Sequence, residues 1–141
     1  MKIDLSDPGA TPDALIKAVP YCAHLGAKVT LREGRLVLEL PFADYLIGNP
    51  SVPAIHGGVI GSFLETAAIS QVIYETRAAA TPKPVDITID YFRTGRPVTS
   101  YAAARIVKLG RRVINVHAEM WQDDETKPIA VLHGHFLIVA E

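Results

Sequence analysis

The chain has 141 residues, 49% hydrophobic and 21% charged, with a formal net charge of −1. That length supports one domain with a real core and that composition excludes a disordered chain. The near-neutral charge excludes a global field that recruits nucleic acid, the single cysteine Cys22 excludes an internal disulfide, and no uncharged apolar run reaches the ~20 residues of a membrane span.

A lone cysteine favours a reducing compartment. The sequence turns polar directly after Met1, so no secretory leader and a cytoplasmic location are expected. Thr11 to Val19 predicts a short helix, with Thr11 as cap, Pro12 at the first helical position and Pro20 as its end. Residues 1–24 read as a helical extension of a single domain spanning 1–141. Lys28 to Arg32 and Leu36 to Leu40 alternate apolar and polar around Glu33-Gly34, which predicts a hairpin. Pro41 to Pro53 reads as irregular, with a turn of helix at Asp44 to Ile47 and a loop marked by Asn49-Pro50 and Pro53.

Gly57 to Ala79 predicts one long helix. Val59, Ile60, Phe63, Leu64, Ala67, Ala68, Ile69, Val72 and Ile73 make it apolar nearly all round. A helix of that kind is buried on most sides. Pro82 and Pro84 close it. Four strands follow: Val85 to Tyr91, Val98 to Lys108, Ile114 to Met120, and Ile129 to Val139. The second and third are joined at Gly110-Arg111. The last is apolar on both faces, as a central or interfacial strand would be. An antiparallel sheet wrapped around one central helix accounts for this order and makes the chain α+β.

The chemistry concentrates in His56-Gly57-Gly58-Val59-Ile60-Gly61-Ser62-Phe63-Leu64-Glu65. Two glycines let the backbone approach a ligand. The first N–H groups of the helix are unpaired and carry partial positive charge, so they suit a developing oxyanion. Glu65 supplies a base or nucleophile. Acyl transfer or hydrolysis is the chemistry such a pair performs. Gly57 and Gly58 have the plainer reading of a loop-to-helix turn, His56 of a capping or core histidine, and Glu65 of a satisfied interfacial carboxylate; the catalytic reading is favoured for the glycines and for Glu65.

The layout, the His56-Gly57-Gly58 turn, the acid at Glu65 and the strand Asp86-Ile87-Thr88-Ile89-Asp90-Tyr91-Phe92-Arg93 resemble the hot-dog fold acyl-CoA thioesterases. The similarity is to the phenylacetate-degradation and 4-hydroxybenzoyl-CoA thioesterase types, from roughly Leu25 onward. It implies backbone donors at Gly57 and Gly58, with His56 orienting the turn and Glu65 attacking the carbonyl or activating water. It also implies a polar residue ahead of the turn, for which Asn49 stands nearest. The family spacing, six before the histidine, falls on Pro50. The helper hydroxyl of the family falls on Ile69 in one branch and near Pro84 in the other. Thr66 and Ser70 are the neighbouring hydroxyls.

The resemblance implies a homodimer or dimer of dimers with interfacial sites, acyl-CoA as the partner molecule, and no cofactor beyond the coenzyme A of the substrate. Gly58 and Glu65 give an independent reason: seven residues apart, they share a helix face but lie ~10 Å apart along the axis. One thioester carbonyl cannot reach both, so an antiparallel partner helix would bring Glu65 in trans.

Arg93, Arg96, Arg105, Lys108, Arg111 and Arg112 fall in a segment without Asp or Glu. They suit the phosphates of coenzyme A, with Arg93, Arg111 and Arg112 favoured and Thr94 and Gly95 offering backbone contacts. A solvated strand surface is the plainer reading. No interleaved aromatic platform points to nucleic acid. His133 and His135 share a strand face, but no third ligand is evident, so no metal is assigned. Cys22, His24, Tyr91 and Trp121 read as packing residues. Three further readings stay open: a non-catalytic acyl-CoA binder, an interaction module, and an enoyl-CoA hydratase. The hydratase reading lacks its aspartate, since Ser51 stands five before His56.

Overall fold

The structure, a computed structural model, describes residues 19–77 and 81–138. The expected Thr11–Val19 helix lies outside those residues except for Val19. Pro20 opens a helix, α1 (Pro20–Leu25), because proline at the first helical position loses no bond. Gly26, in the left-handed region at φ 72°, closes it.

Next come β1 (Lys28–Arg32) and β2 (Arg35–Leu40). Glu33 and Gly34 join them, both with positive φ, as the twist of a tight hairpin requires. A single 3₁₀ turn, Asp44–Leu46, follows. It leads into two short strands absent from the sequence expectation, β3 (Ile47–Asn49) and β4 (Ala54–Ile55). Then come the central helix α2 (Gly57–Thr76), β5 (Lys83–Tyr91), β6 (Ser100–Leu109), β7 (Val113–Trp121) and β8 (Ala130–Leu137). Arg77, at φ 55°, ends α2 short of the expected Ala79. Positions 78–79 and Val139 fall outside the described residues.

One antiparallel sheet runs in the order β1-β2-β6-β7-β8-β5, and β3 pairs with β4 apart from it. The sheet wraps around α2 as a hot-dog fold. β8 lies inside the sheet, paired on both sides, as a central strand does.

Leu36, Leu38 and Leu40 of β2, Ala102 and Ala104 of β6, Ile114, Val116, Ala118 and Met120 of β7, and Leu132 and Phe136 of β8 close over the helix. Phe63, Leu64, Ala68 and Val72 of α2 are fully buried among them. Each large side chain so buried contributes about 1.5–3 kcal/mol. Gln71 is the polar exception on this surface. It is 3% exposed, accepts from the Leu36 N–H at 2.8 Å and donates to the Gly34 carbonyl at 3.2 Å. The buried amide thereby pins α2 to the β1–β2 turn.

The strand register sorts the loops to opposite ends of the sheet. The C-terminal end of β5 lies beside the start of β8, the end of β7 and the start of β6, because Tyr91 pairs with Ala130, Ala130 with Met120, and Tyr101 with Trp121. The β6–β7 turn lies at the other end, where Lys83 pairs with Leu137 and Leu137 with Val113.

Candidate active site

α2 begins under the C-terminal end of β5. His56 is its cap: Nδ1 accepts the Gly58 N–H at 2.8 Å, and the His56 N–H donates to the Leu46 carbonyl at 2.8 Å. An Nδ1 that accepts places the proton of the neutral ring on Nε2. His56 sits so closely that a Cβ at Gly58 would come within 2.9 Å of its ring, and one at Gly48 within 2.8 Å. Those two glycines are the room that the imidazole needs.

The expected pair of backbone donors is therefore divided. Gly58 gives its N–H to His56, whereas the Gly57 N–H has no acceptor among the described residues. The Gly57 carbonyl accepts from the Tyr91 hydroxyl at 2.8 Å. Gly61, one turn on, leaves space for Ile89, whose Cδ1 would lie 3.0 Å from a Cβ there. By sequence alone Tyr91 reads as a core or interface aromatic. Its place at the end of a strand leading into Arg93 was the available signal for more.

Gly58, Ser62, Glu65, Thr66 and Ile69 make the least buried stripe of α2. Glu65 is half-buried there, with no hydrogen-bond or ion-pair partner among the described residues. Ser62 donates to the Gly58 carbonyl at 2.7 Å and Thr66 to the Ser62 carbonyl at 2.8 Å. Ser70 is buried on another side. Ser62 was missed by sequence reasoning, although it stands one turn before Glu65. Cys22 packs in the core near this stripe. Burial pushes its thiol up, against a smaller opposing effect of a hydrogen bond with Thr66.

Asn49 is exposed, and its side-chain oxygen accepts from the Ser51 N–H at 3.0 Å. It holds its own turn, between β3 and β4, ahead of His56. Gly95 is buried, and its carbonyl accepts from the Ile55 N–H at 2.9 Å. A Cβ on it would meet Ile60 at 3.2 Å and Ile55 at 3.3 Å. Gly95 thus braces the start of α2.

Arg93 donates to the Pro128 carbonyl at 2.7 Å, and Arg96 is ion-paired with Asp123. With Thr94, Gln122, Asp124, Lys127 and Ile129 they line a cavity of about 340 Å³. Hydrogen bonds from the Thr126 hydroxyl and N–H, the largest influences, hold the Asp124 carboxyl below its usual range. Gln122 ties the loop after β5 to the loop after β7. It accepts from the Arg96 N–H at 3.2 Å and donates to the Arg96 carbonyl at 2.9 Å and the Ser100 hydroxyl at 3.1 Å.

Arg111 and Arg112 are exposed in the β6–β7 turn, at the other end of the sheet. The length of β6, about 30 Å at ~3.3 Å per residue, separates them from Arg93. One chain does not bring the two expected arginine groups together. His133 and His135 share the outer face of the sheet but have different partners. His133 meets His117 with their Nδ1 atoms 3.3 Å apart, and His135 meets Asp86 at 2.9 Å.

This fold and helix-start geometry agree with what the chain resembles among known proteins. Residues 53–129 match the thioesterase superfamily model, and the chain belongs to that family. A protein from Chromobacterium violaceum of known structure is 40% identical over 91% of this chain and 89% of its own, with a TM-score of 0.74. A phenylacetic acid degradation-related protein from Ralstonia eutropha JMP134 is 23% identical over 92% of this chain and 94% of its own, at a TM-score of 0.76. A Bacillus halodurans protein solved with CoA is 23% identical over 87% of this chain and 80% of its own, at 0.77. The last two show likeness of fold. No curated protein matches the chain. No helix among the described residues is long and apolar enough to cross a membrane.

Proposed function

We propose that the chain is an acyl-CoA thioesterase acting as a homodimer. The observation that carries this is the Gly57 N–H at the start of α2, without an acceptor among the described residues, and the half-buried, equally unpartnered Glu65 on the same helix. The Gly57 N–H polarises the thioester carbonyl. Glu65 takes a proton from water as the water oxygen bonds to the carbonyl carbon. Collapse of the tetrahedral intermediate expels the coenzyme A thiolate, which receives that proton, leaving free acid and free thiol. Direct attack by Glu65 uses the same atoms through an anhydride that water then opens.

Gly57 and Glu65 are eight residues apart, ~12 Å along the helix, so they serve one carbonyl only across two subunits. β5 offers the seam. Among the described residues it pairs only with β8, is nine residues long, and exposes Val85 and Tyr91, with Phe92 just beyond. Such an edge is a template for another strand. Arg93 and Thr94 flank the ligand's phosphates, and Arg111 and Arg112 reach the same ligand only from a second copy. The relative solved with CoA supports the ligand class.

The test is a mixed dimer. Gly57→Pro removes the donor N–H while suiting the first helical position, and the extended backbone of His56 (φ −59°, ψ 131°) accepts a following proline. Gly57→Pro and Glu65→Gln are each expected to be inactive on a panel of acyl-CoA thioesters. Reassociated together they should regain about a quarter of wild-type turnover. No recovery would refute action in trans. A second reading, binding without turnover, is favoured by the His56 cap on Gly58, which leaves a single donor. It predicts tight CoA thioester binding and no thiol release.

A further inference from the structure

The face of the sheet turned away from α2 carries its own group of titratable side chains. Alternation decides which residues reach it. Ile114, Val116, Ala118 and Met120 of β7 and Leu132 and Phe136 of β8 point in toward the core, so His117 and Glu119 of β7 and His133 and His135 of β8 point out. Register then sets His117 directly opposite His133, and Asn115 opposite His135. The sequence pairs His133 with His135 along one strand, whereas the structure pairs His133 with His117 across two. We infer that His117 and His133 form a two-imidazole chelate for a tetrahedral divalent cation of the zinc type.

The separation of the nitrogens fits such an ion. The two Nδ1 atoms lie 3.3 Å apart. The ring centroids are 4.6 Å apart with 56° between planes, a tilt that lets two in-plane lone pairs converge. With zinc–imidazole bonds of about 2.0–2.1 Å, a 3.3 Å span subtends roughly 104–111° at the metal, which brackets the tetrahedral angle. A square-planar cupric or nickel ion needs an angle near 90°, hence nitrogens about 2.9 Å apart. The span is also long for a hydrogen bond, since an N–H donor usually sits roughly 2.7–3.2 Å from an oxygen acceptor.

The protons are arranged to leave a lone pair in the gap. Glu119 Oε1 lies 3.0 Å from His117 Nε2. Neutral His117 therefore carries its proton on Nε2 and turns an unprotonated Nδ1 toward His133. A carboxylate on the far nitrogen of a ligating imidazole fixes the ring and raises its basicity. His133 is exposed, and its Nε2 has no partner among the described residues. Its proton can move from Nδ1 to Nε2, where water accepts the hydrogen bond. The cation thus replaces one shared proton and breaks no other bond.

The groups facing the pair leave it accessible. Thr88 of β5 lies opposite His133, and Arg105 of β6 opposite His117. Arg105 opposes a cation, but it is exposed, and water weakens that repulsion. Asp86 is engaged by His135 at 2.9 Å. No set of three His, Cys, Asp or Glu ligands forms among the described residues. Two protein nitrogens leave two tetrahedral positions to water, fewer protein ligands than the three or four of dedicated zinc sites. The bound cation is therefore exchangeable. It braces β7 against β8 and takes no part in the thioester chemistry proposed above.

The test is zinc chloride titrated calorimetrically into the metal-free full chain, in a buffer that does not chelate. Wild type is expected to take up one equivalent. His117→Ala and His133→Ala should each abolish that uptake; the second is at an exposed position, where folding is not at stake. His135→Ala should leave it unchanged. Glu119→Gln should weaken it about 10–100-fold, as loss of an outer partner of a ligating histidine does. Zinc should also raise the melting temperature of wild type, as any ligand of the native state alone does, and should not change that of His133→Ala. No uptake by wild type, or wild-type affinity in either His133→Ala or Glu119→Gln, overturns the assignment and leaves the two rings sharing a proton. Equal loss in His133→Ala and His135→Ala overturns it in favour of the pair along one strand. Thiol release plays no part in the titration, so failure here leaves the thioesterase reading as it stands, and failure of that reading leaves this one.

Discussion

The Tyr91 hydroxyl donates to the Gly57 carbonyl oxygen at 2.8 Å, joining the last residue of β5 to the first of α2. The bond fixes the helix start against the strand edge proposed to meet a second subunit. Tyr91→Phe keeps the ring and deletes the donor. The expected stability loss is about 0.5–1.5 kcal/mol, read as a melting-temperature fall of a few degrees, ~2–8 °C. An unchanged melting temperature would show that the bond adds nothing.

Adjacent glycines should respond oppositely to alanine. At Gly57 a Cβ meets Tyr91 at an ordinary 3.6 Å, and alanine is the better helix former by up to ~1 kcal/mol. At Gly58 the same methyl meets the His56 ring at 2.9 Å and displaces the cap, at a cost of about 1 kcal/mol. Denaturant titrations of Gly57→Ala and Gly58→Ala should show stability held or raised in the first and lowered in the second.

Much of this arrangement was legible in the sequence, and the reason is periodicity. α2 was readable because Phe63, Leu64, Ala67, Ala68 and Val72 make it apolar on most sides, and β7 because Ile114, Val116, Ala118 and Met120 alternate with polar residues. β3 and β4 were not, since three residues and two residues carry no period. The division of labour between Gly57 and Gly58 was hidden too, because it depends on the rotamer of His56. The distance between Arg93 and Arg112 is set by strand order, which a local pattern does not encode. The Gln122 bonds to Arg96 and Ser100 span 26 and 22 residues and leave no local trace.

Glu65→Gln should lower turnover by about 10²–10⁴-fold, the range of a lost general base. The substitution is isosteric and breaks no hydrogen bond of the carboxylate to another described residue, so melting temperature and subunit association are expected to match wild type. Wild-type thiol release by the variant would remove Glu65 from the mechanism.

Gln122→Leu should be costly although it lies away from Glu65. It leaves the buried Ser100 hydroxyl without this partner, worth about 1–3 kcal/mol when unsatisfied, and removes the part-buried bond of the Arg96 N–H. Hydrogen exchange should accelerate in the loops 92–99 and 122–129 together. Acceleration in only one of them would show that Gln122 does not couple the two.

Cys22 should be chemically quiet. Its thiol is pushed up by burial, so the thiolate is scarce near neutral pH and alkylation of the native protein should be far slower than after denaturation. The sign for stability follows: the folded state holds its proton longer than the unfolded one, so stability falls as pH rises above the unfolded thiol's range. Rapid labelling of native protein at pH 8 would contradict both statements.

A cylinder that is greasy on most sides has only a weak bearing of its own, because many rotations bury about as much surface as any other. Gln71 supplies the index mark. Its amide engages Leu36 and Gly34, and it sits six residues from Glu65, roughly 120° around the helix. The direction in which the carboxylate faces is therefore recorded in a side chain that never meets a ligand. A leucine there would preserve the oiliness of the interior and erase the compass.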